Sequence, residues 1–418
     1  MKLHIENLGK IAVADFNFNG ITLIVGDNNT GKSTAGKTLF ATFNALYDFT
    51  DRIFRDRFDA CRRALRSVVR SFPRSYGGDD PKTEFINDYL TKSKTDDEIR
   101  YAIESLAKFR GVPVDVAQLM LEMEEARKPD DLEIRNRLVR NCFSSVFHDQ
   151  YVSLYNTRRG ALVELTIKGQ TSRLMLRKER VSLKQKFEIE HPAYYIDTPE
   201  LLRNINDAWM ECQGSGLGES LVKAIRRGIL DQKNNRLSAV SDIASTARLE
   251  DILAGFSDVF QDGMQNDGVR NIVYKDKRFK DALELDNLSE GLKSFGLILT
   301  AIRYQAIKPG DVLILDEPEI HLHPEWQLRY AELIVLLQKA FKLTVLLTSH
   351  SPDFIQALRL YARKHGTSSV VNAYISMVND NGLAKFVEVD HDNWDEIFQR
   401  FMRPVDRLSE LEARYGDK

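Results

Sequence analysis

The chain carries Gly26-Asp27-Asn28-Asn29-Thr30-Gly31-Lys32-Ser33, which fits the pattern GxxxxGK[ST]. An apolar run, Ile21 to Val25, precedes it, and a helical pattern begins at Gly31. A buried strand, a glycine-rich turn and a helix in this order surround phosphates with backbone N–H groups and the positive end of the helix dipole. The lysine of such a loop reaches the β- and γ-phosphates, and the serine ligates Mg²⁺. The nucleotide-binding residues that this pattern predicts are Gly26, Asn28, Asn29, Thr30, Gly31, Lys32, Ser33 and Thr34.

Two adjacent carboxylates end a second apolar run. Val312 to Leu315 predicts a buried strand, and Asp316 and Glu317 follow it directly. Ligands of parallel sheets bind at the carboxyl ends of the strands, where these side chains would lie. We expect Asp316 to coordinate Mg²⁺ together with Ser33, and Glu317 to act as the catalytic base that orients or polarises the attacking water. Many strands end in acidic residues, so this interpretation depends on the accompanying phosphate loop.

Two shorter motifs flank this strand. Asn287 to Ser294 has the sequence NLSEGLKS, and a helical pattern follows it. Ser289 and the backbone around Gly291 would present hydrogen-bond donors and a helix N-terminus to a γ-phosphate. In the alternative interpretation, Ser289 is only the N-cap of that helix. The second motif is His350, which follows the apolar run Leu343 to Leu347.

Taken in order, these four motifs resemble those of ABC ATPases, with Asn287 to Ser294 in the place of the LSxGx[QK] signature. The resemblance covers residues 1–45 and 285–375. It implies that His350, although a lone histidine is usually structural, is the switch histidine, a catalytic residue that contacts the γ-phosphate. The segment Asp316 to Gln327, DEPEIHLHPEWQ, is similar to bacterial AAA-type ATP-binding proteins related to the RecF, OLD and SMC-like ATPases, of the kind found in anti-phage defence.

His321 and His323 lie within this last segment and suggest a metal pair. Two histidines at i and i+2 on a turn lack the further ligands that a metal site needs. The favoured interpretation is a loop that faces the partner protomer, in the position of the D-loop of ABC ATPases.

The resemblance implies an α/β fold, an ABC ATPase head with a parallel sheet core, an antiparallel β-subdomain and a large helical insertion. We expect the ATPase core and phosphate loop in 1–45, the helical insertion in 46–150, the β-subdomain in 151–198, a helical segment in 199–284, the rest of the ATPase core in 285–378 and a helical tail in 379–418. Residues 2 to 25 predict two short strands within the first of these segments.

ABC ATPases close on ATP with Mg²⁺ as head-to-tail dimers, so the resemblance implies a homodimer or higher oligomer. One subunit would supply Lys32 and Glu317, and the other would supply Ser289 and Gly291 in trans. Two roles stay open. The first is the ATPase component of a bacterial anti-phage defence or toxin-like system that controls a separately encoded effector, a nuclease or a toxin. The alternative is a nucleic-acid-stimulated ATPase of DNA repair or recombination.

Composition indicates the cellular compartment of the protein and the kinds of partner that it contacts. The 418 residues are 43% hydrophobic and carry a formal net charge of −2, so no global basic field indicates a nucleic-acid-binding protein. The three cysteines, Cys61, Cys142 and Cys212, are far apart, which argues against a disulfide framework or a structural zinc site. No run approaches the roughly 18 apolar residues of a membrane span. We therefore expect a cytoplasmic protein with no membrane contact.

One helical face in the insertion is rich in arginine. Phe54, Phe58 and Cys61 step by four and three as a core stripe, and a different face carries the arginines. Such a face could bind phosphate backbones or an acidic partner; a solvated face offset by acidic neighbours is the favoured alternative. The residues of this possible polyanion or partner face are Arg55, Arg62, Arg66 and Arg70.

Three further segments of the sequence give weaker signals. Asp197 stands near the position of the lobe-connecting glutamine of ABC ATPases, from which it departs. Gly214 to Gly218 is rich in glycine but follows no strand, and predicts a flexible turn. Asp390-His391-Asp392 predicts a solvated turn in preference to a metal site.

Overall fold

The structure is a computed structural model that describes residues 1–65, 81–110, 114–153, 155, 159–178, 180–184, 187–207, 216–234, 239–256, 263–267, 271–390 and 394–415. The chain forms two compact units. The first unit consists of Met1–Ala45 and Arg140–Lys418, and the second of Leu46–Val139. The second unit therefore interrupts the first in the sequence.

An eleven-stranded sheet organises the described part of the first unit, with strand order β6-β5-β4-β1-β2-β14-β13-β3-β12-β11-β7. A separate three-stranded sheet has the order β10-β9-β8. The strands are β1 (Lys2–Leu8), β2 (Ile11–Asn17), β3 (Ile21–Gly26), β4 (Ala161–Ile167), β5 (Gln170–Leu176), β6 (Val181–Lys184), β7 (Ala193–Ile196), β8 (Gly263–Asn266), β9 (Ile272–Lys275), β10 (Leu283–Glu284), β11 (Val312–Asp316), β12 (Thr344–Ser349), β13 (Val371–Val378) and β14 (Ala384–Val389).

The half of the sheet formed by β13, β3, β12, β11 and β7 is parallel. All six residues of β3 are buried, as expected for a strand that is covered on both faces. In register, Thr348 of β12 pairs with both Asp316 of β11 and Ile24 of β3. The carboxyl ends of these strands therefore share one edge of the sheet, which is where parallel sheets bind ligands.

The other half, from β6 to β2, is antiparallel. Buried and partly exposed residues alternate along β4, as in a sheet with one covered face. The two halves meet where β14 pairs with β2 in parallel through only two register pairs, with an irregularity between them. This arrangement confirms the predicted α/β fold with a parallel core and an antiparallel β-subdomain.

Helices cover the parallel half, and their apolar faces form its core with the strands. Phe295 and Tyr330, for example, pack edge to face with ring centroids 4.9 Å apart. The α-helices among the described residues are α1 (Lys32–Leu46), α2 (Phe49–Ala64), α3 (Pro81–Thr91), α4 (Asp96–Arg110), α5 (Val116–Arg127), α6 (Asp131–Phe147), α7 (Glu219–Lys233), α8 (Ala239–Leu253), α9 (Glu290–Arg303), α10 (Pro324–Phe341), α11 (Pro352–Lys364) and α12 (Asp395–Tyr415).

The second unit is helical in its described part and has its own core. Cys61 and Leu65 are buried there together with Tyr89 and Met123. Phe58 packs against the same cluster, whereas Phe54 is 37% exposed. The apolar stripe of α2 therefore packs as the sequence pattern indicates, except at its first residue.

Four segments differ from the sequence expectation. Residues 2–25 contain three strands, because Gly9 and Gly20 both adopt positive φ and each allows a reversal of the chain. The segment 199–284, expected to be helical, also holds the small sheet β8–β10. The tail 379–418 contains β14 before its helix, and β7 at the end of 151–198 belongs to the parallel half. These strands are short or pair with distant partners, so local periodicity does not reveal their neighbours.

Within the described residues, no helix is both long enough and apolar enough to cross a membrane.

Candidate nucleotide-binding site

The phosphate loop connects β3 to α1 and depends on two glycines. Gly26 has φ +152°, and a Cβ there would lie 2.3 Å from the Ser376 carbonyl oxygen of β13. Gly31 has φ +89°, and its Cβ would lie 2.9 Å from the Ala384 side chain. Only glycine fits both the backbone conformation and the space at these positions. Ser376 Oγ also donates to the Thr30 carbonyl at 2.6 Å, so β13 fixes the loop from beneath.

The side chain of Lys32 lies inside this loop and is only 4% exposed. Its Nζ donates to the carbonyl oxygens of Gly26 at 2.9 Å and Asp27 at 3.0 Å. It also lies 3.6 Å from Glu317 Oε1. Two carbonyls and one carboxylate thus hold a buried ammonium at the place where a phosphate would bind.

The other predicted residues of the loop differ in burial: Asn28 and Asn29 are exposed, Thr30 is buried, and Thr34 lies at the start of α1. The Asn29 carbonyl accepts a hydrogen bond from Lys10 Nζ at 2.7 Å. Thr30 Oγ1 donates to the Asp27 carbonyl at 2.7 Å and braces the turn from within. Thr34 is partly buried in the first turn of α1.

The Asp316 carboxylate accepts hydrogen bonds from three hydroxyl groups of the site. Its Oδ1 accepts from Ser33 Oγ at 3.1 Å and from Thr348 Oγ1, and its Oδ2 accepts from Tyr195 at 2.6 Å. Burial, together with the charge of Asp316, raises the pKa of Tyr195 well above its usual value, so its hydroxyl stays protonated and donates. The paired hydroxyl and carboxylate of Ser33 and Asp316 are hard oxygen ligands, which fits them to Mg²⁺.

Glu317 occupies a left-handed backbone conformation with φ +50°. Such a conformation costs a non-glycine residue about 1–3 kcal/mol. Two hydrogen bonds hold it, because the Glu317 N–H donates to Thr348 O at 3.1 Å and to Thr348 Oγ1 at 3.0 Å. The Glu317 carboxylate lies beside His350, whose Nδ1 is 3.3 Å from Glu317 Oε1.

The signature segment begins helix α9. Ser289 is the N-cap, and its side chain accepts from the Leu292 N–H at 3.4 Å, as the alternative interpretation proposed. The Ser289 side chain is nevertheless exposed, whereas Gly291 is buried against Trp326. A Cβ on Gly291 would lie 2.8 Å from the Trp326 ring, so the turn needs glycine for packing.

Lys293 of the same segment is buried and bonded to two carboxylates. Its Nζ donates to Glu290 at 2.7 Å and to Glu200 at 2.9 Å. This contact lowers the pKa of Glu200 to about 2. The lysine therefore anchors the signature helix to the turn after β7.

Sequence reasoning missed three side chains that shape the site: Tyr195, Thr348 and Glu319. The first two stand at the ends of β7 and β12, so the rule that ligands meet the carboxyl ends of parallel strands would have found them. Glu319 lies within the segment that carried the resemblance, but its burial is not visible in the sequence. Asp197 follows β7 and lines a cavity of about 20 Å³ with Asp316 and Glu317. Burial raises the pKa of Asp197.

The structure also bears on the side chains considered for metal or polyanion binding. His323 is the N-cap of α10 and accepts from the Glu325 N–H. No group of three or more His, Cys, Asp and Glu suited to a metal ion occurs in the described part of the chain. Arg55 forms ion pairs with Asp51 and Asp48, at 3.3 Å and 3.6 Å, whereas Arg62 is exposed. Arg66, Arg70, Cys212, Gly214, Ser215, His391 and Asp392 lie outside the described residues.

Known proteins were compared with the chain at the levels of sequence and structure. Residues 183–356 match the model of a family described as AAA domain, putative AbiEii toxin, Type IV TA system. The match includes the signature segment, the carboxylate pair and His350, but begins after the phosphate loop. A search of curated proteins found no match to this sequence.

Several solved structures are similar at low identity. The SMC head domain from Thermotoga maritima is 12% identical with a TM-score of 0.40, over 93% of this chain and 98% of that chain. An Smc head domain with an extended coiled coil, bound to the C-terminal domain of ScpA derived from Pyrococcus furiosus, is 13% identical with a TM-score of 0.41, over 96% and 99%. CbiO1 from Clostridium perfringens, part of the ABC transporter complex cbiONQ, is 14% identical with a TM-score of 0.32, over 98% of each chain.

The assignment rests on the family model and on the four motifs, three of which the parallel sheet brings to one edge. Residues 183–356 are similar to an AAA domain of the matched family, and the chain carries four motifs that resemble those of ABC ATPases.

Proposed function

We propose that the protein hydrolyses ATP with Mg²⁺ and does so as a head-to-tail dimer. One observation carries the proposal: Glu317 Oε1 lies 3.6 Å from Lys32 Nζ and 3.3 Å from His350 Nδ1. A phosphate-binding cation, a carboxylate base and a histidine thus meet where β3, β11 and β12 end. A γ-phosphate bound by Lys32 would place its attacking water within reach of Glu317.

Each residue has a distinct part in this chemistry. Lys32 and the N–H groups of the loop stabilise charge on the β- and γ-phosphates. Glu317 orients the water and accepts its proton, and His350 hydrogen-bonds the γ-phosphate and holds the carboxylate in place. Ser33 and Asp316 would hold Mg²⁺, which neutralises phosphate charge when bound.

The dimer part of the proposal comes from the signature turn. Ser289 is exposed at the N-terminus of α9, where the positive end of the helix dipole favours an anion. We assign Ser289 and Gly291 to the γ-phosphate bound by a second subunit. ATP then closes the two copies together, and hydrolysis releases them.

The biological role that we propose is control of a separately encoded effector, a nuclease or toxin, in bacterial defence. The description of the matched family names a putative toxin of a type IV TA system, which supports the link to toxin-like systems; the separate effector is our own inference. In such a system the nucleotide-dependent closure of the dimer is the switch, and the effector responds to it.

Replacement of Glu317 tests the chemistry. Glu317→Gln keeps the shape of the side chain but cannot accept a proton, so ATP binding should persist within threefold while turnover falls at least a hundredfold. Size-exclusion chromatography with saturating ATP should show this variant as a dimer. Lys32→Ala is the matched control, because it should lose ATP binding itself. A Glu317→Gln variant that turns over ATP at the wild-type rate would refute the assignment of the base.

The alternative role, a nucleic-acid-stimulated ATPase, differs from the effector switch in how the rate of ATP hydrolysis responds to DNA or RNA. A nucleic-acid-stimulated ATPase should hydrolyse ATP severalfold faster with DNA or RNA, and this stimulation should fade as salt screens the phosphate contacts. An effector switch should hydrolyse slowly with or without nucleic acid, and should co-purify with the product of a neighbouring gene. Turnover at two salt concentrations, with and without DNA, separates the two roles.

A further inference from the structure

The turn after the carboxylate pair contains a third acid that the chemistry above does not use. Glu319 is 2% exposed and lies two residues beyond Glu317. Its Oε1 accepts from Ser349 Oγ at 2.5 Å and from the His350 N–H at 3.2 Å. Its Oε2 is buried and makes no hydrogen bond to any described residue. Burial of a carboxyl group costs free energy unless hydrogen bonds compensate for it. The two hydrogen bonds that Glu319 Oε1 accepts are therefore the contacts through which this residue can act.

The contacts of Glu319 belong to a closed network. Ser349 Oγ accepts from the Ser351 N–H at 3.1 Å, and Ser351 Oγ donates to Gln327 Oε1 at 2.8 Å. Gln327 Nε2 in turn donates to the carbonyl oxygens of Glu319 and Leu322, at 3.4 Å and 3.2 Å. The turn after β11, the start of α10 and the segment after β12 are therefore tied together by side chains.

His350 depends on this network for its position. Its side chain is 42% exposed, and its ring lies 3.3 Å from Glu317 Oε1 through Nδ1. The ring direction is thus set by the backbone of residues 349–350. Strand pairing holds Ser349 opposite Val25 of β3, and Glu319 adds one bond from the Ser349 hydroxyl and one from the His350 N–H.

We propose that Glu319 is a positioning residue for the reaction: its buried carboxyl oxygen fixes residues 349–350 so that the His350 ring stays against Glu317. This role rests on the proposed ATP hydrolysis. It also links the exposed turn with Ile320 and His321, which follows Glu319, to the position of the histidine. A second subunit that pressed on this turn would alter the His350 geometry through Glu319.

Three variants test the proposal. Glu319→Ala removes the acceptor, so kcat should fall at least tenfold while the KM for ATP stays within twofold, because the phosphate loop is untouched. Glu319→Gln keeps an acceptor oxygen for both bonds, so kcat should stay within threefold of the wild type. Glu332→Ala is the matched control: Glu332 is 6% exposed on α10 and accepts from Lys364 and His365 of the following helix region. Its loss should cost similar thermal stability and leave kcat within twofold.

A readout without turnover keeps this test separate from that of the ATPase. In isotope-labelled protein, the ring resonances of His350, assigned with His350→Asn, should move in Glu319→Ala towards those of a free surface histidine. They should stay in place in Glu319→Gln and Glu332→Ala. A wild-type protein without ATPase activity would defeat the proposed function, and the resonances would still decide the role of Glu319. Unmoved resonances in Glu319→Ala, or a Glu319→Gln variant as inactive as Glu319→Ala, would overturn the positioning role.

Discussion

Hydrogen bonds from neighbouring side chains set the orientation of the Asp316 carboxylate. Its Oδ2 accepts from the buried Tyr195 hydroxyl at 2.6 Å, which leaves its Oδ1 beside Ser33. Tyr195→Phe removes this donor and lets the carboxylate rotate. A hydrogen bond to a charged group contributes about 1.5–3 kcal/mol. We therefore expect the Mg²⁺ concentration for half-maximal ATP hydrolysis to rise about tenfold, as measured by a magnesium titration at saturating ATP.

Tyr374→Phe is the control for this prediction, because it removes another buried tyrosine hydroxyl, which accepts from the Asn17 N–H; Tyr374 lies on β13, a strand separated from β11 by two others. It should cost stability without changing the magnesium requirement. An unchanged requirement in Tyr195→Phe as well would show that Tyr195 has no part in orienting Asp316.

At the scale of elements, helix α7 meets the end of α9 at a glycine. A Cβ on Gly228 would lie 1.8 Å from the Tyr304 carbonyl oxygen, a backbone atom that cannot move independently of its helix. Gly228→Ala should lower the free energy of unfolding by about 3 kcal/mol, the upper range for overpacking. Urea unfolding followed by circular dichroism measures the change. Gly255→Ala is the matched control, because no described residue lies within 4 Å of its Cβ, so the change should be neutral or slightly stabilising.

The sequence predicts elements well where burial repeats with a regular period or where a motif needs a given context. Ile21 to Val25 and Val312 to Leu315 are continuous apolar runs that predict buried strands, and both form parallel strands with a neighbour on each side. The small strands at 263–284 give no such signal, because each has two to four residues and gains its stability from pairing. Contacts such as Tyr195 with Asp316 join residues 121 positions apart, which periodicity cannot reveal.

At the scale of the whole molecule, the proposed dimer predicts that a variant can bind ATP and still fail to dimerise. Ser289→Arg, placed in Glu317→Gln, adds a bulky cation at an exposed helix N-terminus that would face the partner's nucleotide. The variant should bind ATP as a monomer within threefold of Glu317→Gln and should fail to form the ATP-dependent dimer. Light scattering with and without ATP measures the mass.

Glu396→Arg on α12 is the control, because it adds the same group at an exposed position outside the signature and should dimerise normally. A Ser289→Arg variant that dimerises as well as this control would contradict the assignment of the signature turn to the partner's γ-phosphate.

Strand β3, which carries the phosphate loop, pairs with β12 and β13, and these follow it by hundreds of residues in the chain. Ribosomes deliver the polypeptide from its N-terminus, so the segment Ile21–Gly26 leaves the exit tunnel long before either neighbour exists. We therefore expect the phosphate loop to reach its final shape only once Val371–Val378 has been translated, because Ser376 of this strand contacts both Gly26 and the Thr30 carbonyl. A product cut short before that strand should accordingly bind ATP more weakly than the full sequence.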